Sequence, residues 1–181
     1  IDFIYLFTEK RKMNFGIKLR NSECNVITFS RDERTDIIEQ LYETTYNHKN
    51  YDKLDWFQFD AISVLLNANN IVGFSSIWNR PFYKKDECRI LNRYWEDKCL
   101  RREGRELVRD HIVKMVKDQL TFAKKIGYNS AFISREKNPR VFTELINKIA
   151  DKTNTVWNIH NDRVLVCEGT GCLQYKGYTE L

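Results

Sequence analysis

Three consecutive segments of the chain carry hydrophobic patterns typical of neighbouring β-strands. Residues 61–66 and 71–78 are two β-prone runs separated by the asparagine-rich segment 67–70. Because asparagine tolerates positive φ, this connection predicts a hairpin. Residues 87–95 form an alternating run that extends the hairpin into an antiparallel three-stranded meander. A shorter β-prone run at residues 24–29 precedes the meander.

The hydrophobic period changes after the third of these strands. Apolar residues spaced by three and four predict a long amphipathic helix over residues 105–125, and Gly127 is well placed to end it. Residues 130–134 form a short β-prone run directly after that helix. The strand at 87–95, the helix and the strand at 130–134 therefore predict a strand–helix–strand unit whose strands run parallel.

Two further helices are indicated by their start signals. Ser30 and Glu33 form a capping-box pattern, which predicts a helix through about residue 48. Asn138 and Pro139 open another helix, whose apolar stripe continues through about residue 150.

The two ends of the chain carry shorter patterns. Residues 155–159 and 163–168 predict a second hairpin, and the glycine-containing residues 169–181 are left as a C-terminal tail. Residues 1–23 are interpreted as an N-terminal extension or an edge strand. The apolar run at residues 1–7 is too short to span a bilayer, so no membrane partner is expected.

Composition places these elements in a single domain, residues 1–181, of mixed α+β class. Apolar residues make up 42% of the chain, with only seven Gly and two Pro, which excludes disordered and low-complexity classes. The net charge of +5 favours anionic ligands. The basic residues are mixed with acids along the chain, unlike the concentrated charge of a dedicated nucleic-acid binder.

Cysteine usage indicates a reducing compartment. The five cysteines are an odd number without a CxxC pair, so we expect reduced thiols in the cytoplasm. His160, Cys167 and Cys172 lie close in sequence but lack the paired short spacings of a structural zinc site. No metal site is therefore predicted.

The segment between the third strand and the long helix carries the candidate chemistry. It contains Arg101, Arg102, Gly104 and Arg105 immediately before and at the predicted helix start. Backbone N–H groups at such a helix N-terminus point outward and hold phosphate, and guanidinium groups bind phosphate bidentately. A solvated helix cap with scattered arginines is the alternative interpretation of the same residues.

The order of elements between residues 24 and 168 resembles the GNAT superfamily of acyl-coenzyme-A-dependent N-acetyltransferases. The hexamer at residues 101–106 is similar to that family's pyrophosphate turn, Gln/Arg-x-x-Gly-x-Gly/Ala, with Glu106 in place of the final small residue. The resemblance implies an acyl-CoA N-acyltransferase fold, in which an antiparallel meander continues into a parallel pair and helices cover both faces. It also implies acetyl-CoA as co-substrate and an amine acceptor, and it allows a homodimer.

The resemblance further implies roles for individual residues. Coenzyme contacts are implied for the turn residues Arg101, Arg102, Gly104 and Arg105. They are also implied for Tyr94 and Trp95, at the end of a strand that should separate from its parallel neighbour, and for Asn138, which opens the later helix. Glu87 and Glu96, on or beside that strand, are the implied catalytic carboxylates. Leu145 stands near the position where many members carry a tyrosine acid.

The sequence leaves three functions open. The leading hypothesis is an N-acetyltransferase that transfers an acetyl group from acetyl-CoA to an amine of a small molecule or protein. Glu106 and Leu145 motivate the second, a GNAT-like binding module without transfer activity. The third is a nucleic-acid-binding accessory protein, based on the net charge and on aromatics interleaved with basic residues. We do not expect this third function, because the basic residues form no single stripe.

Overall fold

A computed structural model describes residues 24–30, 32–33, 59–67, 70–79, 85–93, 105–167 and 172–181. The predicted strand in residues 1–23 lies outside these ranges. So does nearly all of the helix predicted to follow Ser30 and Glu33. A few residues at its predicted start are described, and there the Glu33 carboxylate accepts a hydrogen bond from the Ser30 backbone N–H at 2.9 Å. This is the contact that a capping box requires of its glutamate.

One mixed sheet contains all the described strands. In chain order these are β1 (Cys24–Ser30), β2 (Ala61–Asn67), β3 (Asn70–Trp78), β4 (Glu87–Arg93), β5 (Ser130–Arg135), β6 (Asn158–Ile159), β7 (Val164–Cys167) and β8 (Cys172–Glu180). The order across the sheet is β1-β2-β3-β4-β5-β8-β6, and β7 also pairs with β8. The β4–β5 pair is parallel and the other pairs are antiparallel.

The two described helices are α1 (Arg105–Lys125) and α2 (Pro139–Thr153). Gly127 ends α1 as predicted, with φ of +102°. Its N–H donates to the carbonyl of Lys124 at 3.1 Å, and the N–H of Tyr128 donates to Ala123 at 3.0 Å. This paired hydrogen bonding is the Schellman motif that satisfies the last carbonyls of a helix. Neither described helix is apolar and long enough to cross a membrane.

Both described helices pack on the same face of the sheet. Alternate residues Cys88 and Ile90 of β4 belong to a buried cluster with Ile77, Ala131 and Ile133 and with apolar residues of both helices, among them Val116, Leu120, Phe142 and Ile146. Because strand side chains alternate between faces, Glu87 and Arg89 point to the opposite face. Helices covering that second face were also predicted, and the segment expected to supply them lies outside the described residues.

Salt bridges hold the two helices together near the start of α1. Arg109 of α1 contacts Glu144 of α2 at 2.9 Å, and Lys148 of α2 contacts Asp110 of α1 at 2.8 Å. These side chains are partly exposed, so the bridges contribute little individually to stability. Their main consequence is geometric, because they join the second turn of α1 to the middle of α2.

The predicted meander, the strand–helix–strand unit and the bounds of α1 are confirmed. The predicted hairpin of residues 155–168 is wrong, because β6 and β7 pair with β8 and not with each other. The sequence predicted no element within residues 169–181. The structure has β8 there, a nine-residue strand inserted between β5 and β6.

Candidate functional site

The parallel strands β4 and β5 separate shortly after they begin. Their register pairs are Glu87 with Ser130, Cys88 with Ala131, and Arg89 with Phe132. Beyond these pairs β4 continues to Arg93 along β3, and β5 continues to Arg135 along β8. The edges of residues 90–93 and 133–135 that face each other therefore carry backbone groups outside any strand ladder. An open pair of strand edges can bind an extended ligand through its amides.

The turn predicted to hold the coenzyme diphosphate leads from β4 into α1. Tyr94, Trp95, Glu96, Arg101, Arg102 and Gly104 lie outside the described residues, so their predicted roles remain predictions. Arg105 is the first residue of α1. The start of α1 therefore comes after the open end of β4 in the chain, which is the order that the coenzyme hypothesis requires.

Asn138 lies between the open end of β5 and the start of α2. Its backbone is left-handed, with φ of 59° and ψ of 66°, and its side chain makes no capping hydrogen bond. An ordinary Asn N-cap has extended backbone and caps the helix with its side chain. Pro139 in the first turn suits a helix start and needs no capped N–H. Asn138 is thus not acting as an ordinary cap, and its exposed amide is available to a ligand.

On the face away from α1 and α2, a buried ion pair spans the base of the split. The ammonium of Lys176 on β8 donates to both carboxylate oxygens of Glu87 on β4, at 3.0 and 3.2 Å. The side chains are 13% and 4% exposed. The same ammonium lies 4.3 Å from the ring centroid of Phe132 on β5. Glu87, a predicted catalytic carboxylate, is therefore already engaged by a cation.

A second polar bridge lies beside the first. Arg89 donates from one guanidinium nitrogen to the side-chain carbonyl oxygen of Gln174 at 3.0 Å, and Ser134 donates to the same oxygen at 2.6 Å. The guanidinium also lies over Trp78, 5.8 Å from the ring centroid. Arg89 and Gln174 are both buried. Polar groups buried to this extent are usually hydrogen-bonded, as both of these side chains are.

Leu145, Tyr128 and His111 lie in surroundings that do not favour acid–base chemistry. Leu145 is buried in the core and supplies no acid. Burial, reinforced by a hydrogen bond to Asp60, raises the pKa of Tyr128 above its usual range, and this residue precedes the closed end of β5. Burial, and secondarily Lys114, lowers the pKa of His111 to about 4 within α1.

The described residues offer neither a reactive thiol nor a metal-binding cluster. Burial, with smaller effects from Asp60 and Glu87, raises the pKa of the Cys88 thiol to about 12, so it stays protonated and unreactive. Within the described part of the chain, no three His, Cys, Asp or Glu side chains gather as metal ligands do.

Sequence reasoning missed Arg89, Gln174 and Lys176. Arg89 carried a signal, because it shares the Glu87 face of a strand whose other face is apolar. The other two residues lie in β8, where no strand was predicted. Their partners are 85 and 89 residues away in sequence, so no local pattern joins them.

No protein family matches the sequence in a family-level comparison, and no curated protein matches it. Solved structures do match. An IAA acetyltransferase from Bacillus cereus superposes with a TM-score of 0.56 at 11% identity, covering 87% of this chain and 99% of that one. The protein yncA of Salmonella typhimurium, with its cofactor acetyl-CoA, gives 0.52 at 10% identity, covering 88% and 93%.

The ribosomal-protein-S18-alanine N-acetyltransferase of Escherichia coli gives a TM-score of 0.51 at 13% identity, covering 87% of this chain and 92% of that one. At these identities the likeness concerns architecture. The superpositions extend over 87–88% of this chain, so what is shared is the overall arrangement of its elements. This protein therefore has the GNAT acyl-CoA N-acyltransferase fold, in divergent form.

Proposed function

We propose that this protein is an acetyl-CoA-dependent N-acetyltransferase that transfers an acetyl group to an amine of a small molecule or protein. One observation carries the proposal. The parallel strands β4 and β5 share three register pairs and then separate, within a fold whose solved examples include acetyltransferases. The separation leaves two facing strand edges with free hydrogen-bonding capacity at the centre of the sheet.

The described residues fit the pantetheine arm of the coenzyme. That arm is extended and contains amide groups, which can pair with the open edges of residues 90–93 and 133–135 as a strand would. The side-chain amide of Asn138, held outside its usual capping role, can bind the same arm. Arg101, Arg102, Gly104 and Arg105 would hold the diphosphate with backbone N–H groups and guanidinium groups. Bound acetyl-CoA supplies the activated acyl group as a thioester.

Two carboxylates are proposed to serve the acceptor amine. The substrate enters as an ammonium ion and must lose a proton before it can attack. Glu96 follows β4 in sequence on the side of the open end, and it is our first candidate for this base. Glu87 lies at the closed end of the split and binds Lys176. For Glu87 to act as a base, the amine would first have to displace the Lys176 ammonium.

The proposal is tested by titrating acetyl-CoA into the purified protein in a calorimeter. We expect saturable binding. Gly104→Asp should abolish it without changing the melting temperature, because the added carboxylate would repel the diphosphate at its proposed binding site. Asn138→Gly keeps the left-handed backbone accessible and removes only the amide. It should weaken binding without loss of stability, whereas Asn138→Ala should also destabilise the fold.

Turnover is then measured as release of the coenzyme thiol in the presence of a panel of primary amines and peptides. Glu96→Gln should lower turnover without weakening acetyl-CoA binding. The proposal fails if wild-type protein binds neither acetyl-CoA nor coenzyme A.

A second function, a coenzyme-binding module without transfer, is favoured by two observations. Leu145, near the position implied for a tyrosine acid, is a buried core residue, and Glu87 is bound by Lys176. Binding of acetyl-CoA with no thiol release across the amine panel would support this alternative over the enzyme.

A further inference from the structure

We propose that Lys176 and Gln174 of β8 are positioning residues that, with Glu87 and Arg89, form a clamp fixing the point at which β4 and β5 separate. The clamp is defined as the Glu87–Lys176 ion pair and the Arg89–Gln174 hydrogen bond. This inference rests on the proposed function, since it gives the clamp a role in seating the acyl end of the coenzyme.

The clamp acts across β5 rather than along it. Glu87 and Arg89 belong to β4, and both of their partners belong to β8, which is the next strand beyond β5. Each bridge therefore spans three strands. Ser134 of β5 joins the second bridge by donating to the oxygen of Gln174 that Arg89 also uses. The ladder alone ties β4 directly to β5 at only three register pairs, so side chains supply much of the remaining connection.

The two bridges enclose Phe132, the last β5 residue in register with β4. The Lys176 ammonium lies 4.3 Å and the Arg89 guanidinium carbon 6.0 Å from the Phe132 ring centroid. Phe132 is 1% exposed, so its ring is fixed between the two cations and the sheet. The residue pair at which the split begins, Arg89 and Phe132, is thus held by both bridges.

Burial gives the clamp its rigidity. Charged side chains on a protein surface exchange partners with water, whereas the Glu87 and Lys176 side chains are only 4% and 13% exposed. Removing one of them leaves the other charge buried without compensation. We expect such a change to be relieved by movement of β4 relative to β8, which alters the width of the split beside the acyl group. The nucleotide end of the coenzyme, at the start of α1, should be unaffected.

The test compares two probes, acetyl-CoA and 3′,5′-ADP, the second of which represents only the nucleotide end. In Lys176→Met protein we expect roughly tenfold weaker acetyl-CoA binding, equivalent to about 1.4 kcal/mol, with unchanged 3′,5′-ADP binding. Lys176→Arg keeps a cation that can reach Glu87, and it should recover most of the lost affinity. Lys148→Met is the matched control, because it removes a lysine from an ion pair of similar length on the helix side.

A double variant keeps the test decisive if Lys176→Met does not fold. Glu87→Gln with Lys176→Met leaves no buried unpaired charge, so it should fold while still lacking the ion pair. If it binds both probes as wild-type protein does, the clamp has no positioning role and the inference is wrong. If wild-type protein binds neither probe, the proposed function itself fails. Equal weakening of both probes would also overturn the inference, because it would indicate general destabilisation.

Discussion

Gly177 allows α2 to lie directly on β8, and replacing it with alanine tests this packing. Gly177 is in register with Ile133 of β5 and with Ile159 of β6, so it lies where β8 is paired on both sides. A Cβ atom at this position would lie 3.1 Å from Cδ1 and 3.2 Å from Cγ1 of Ile146, and 3.5 Å from Phe142. Favourable contacts between carbon atoms begin at about 3.5 Å.

The size of the effect follows from two opposing terms. Overpacking a closed core costs about 1–3 kcal/mol, and Ile146 and Phe142 are 0% and 1% exposed, which leaves them little room to move. Alanine restricts the unfolded chain and returns about 0.4–1 kcal/mol. We therefore expect Gly177→Ala to destabilise the protein by about 1–2 kcal/mol, which for a chain of this length lowers the melting temperature by roughly 2–8 °C.

Urea unfolding measures this change as a lower midpoint with an unchanged slope. The partner variant Ile146→Val removes Cδ1, the nearest atom, and alone costs about 0.5–1.5 kcal/mol. In the double variant the two changes should compensate, so that the combined cost is smaller than the sum by about 1 kcal/mol. A neutral or stabilising Gly177→Ala, or strictly additive costs, would refute the packing described for α2 and β8.

Two more predictions concern stability. Below pH 6.5 His111 is protonated in the unfolded chain, whereas in the folded protein it stays neutral down to about pH 4. The free energy of unfolding should therefore fall across this window by up to roughly 1.4 kcal/mol per pH unit. Urea unfolding at several pH values should show a smaller fall for His111→Gln, and an unchanged dependence on pH would count against the buried neutral imidazole. Gly127→Ala should lower the free energy of unfolding by about 1–2 kcal/mol in the same assay, because its φ of +102° strains a residue with a side chain. No atom lies within 4 Å of the added Cβ, so a neutral result would exclude this backbone strain.

Local patterns were sufficient for much of the fold. The asparagine-rich connection between two β-prone runs indicated the β2–β3 hairpin, and the spacing of apolar residues together with Gly127 indicated α1, because these elements are stabilised by neighbours in sequence. β8 escaped prediction because its partners β5 and β6 are distant and its pattern is interrupted by Gly177. The pairing of β6 and β7 was mispredicted for the same reason, since proximity in sequence favoured a hairpin that β8 replaces.

In the candidate site too, local features could be predicted from the sequence and contacts between distant residues could not. The order of β4, the arginine–glycine turn and α1 is a local feature and was read from the sequence. In the proposed clamp, side chains from β8 fix the length of the parallel ladder and the position of its split. These side chains are distant from β4 in sequence, so residue spacing does not predict the contacts. The left-handed backbone of Asn138 could not be predicted from the sequence either, because Asn-Pro indicates an ordinary helix start equally well.

A crystal structure of the protein with acetyl-CoA would show whether the coenzyme binds between the separated strands β4 and β5. We expect the pantetheine arm between residues 90–93 and 133–135, with the Asn138 amide in contact with it and the diphosphate at the start of α1. A coenzyme bound elsewhere, or a β4–β5 ladder that closes beyond Arg89 and Phe132 so that no ligand can enter, would contradict it.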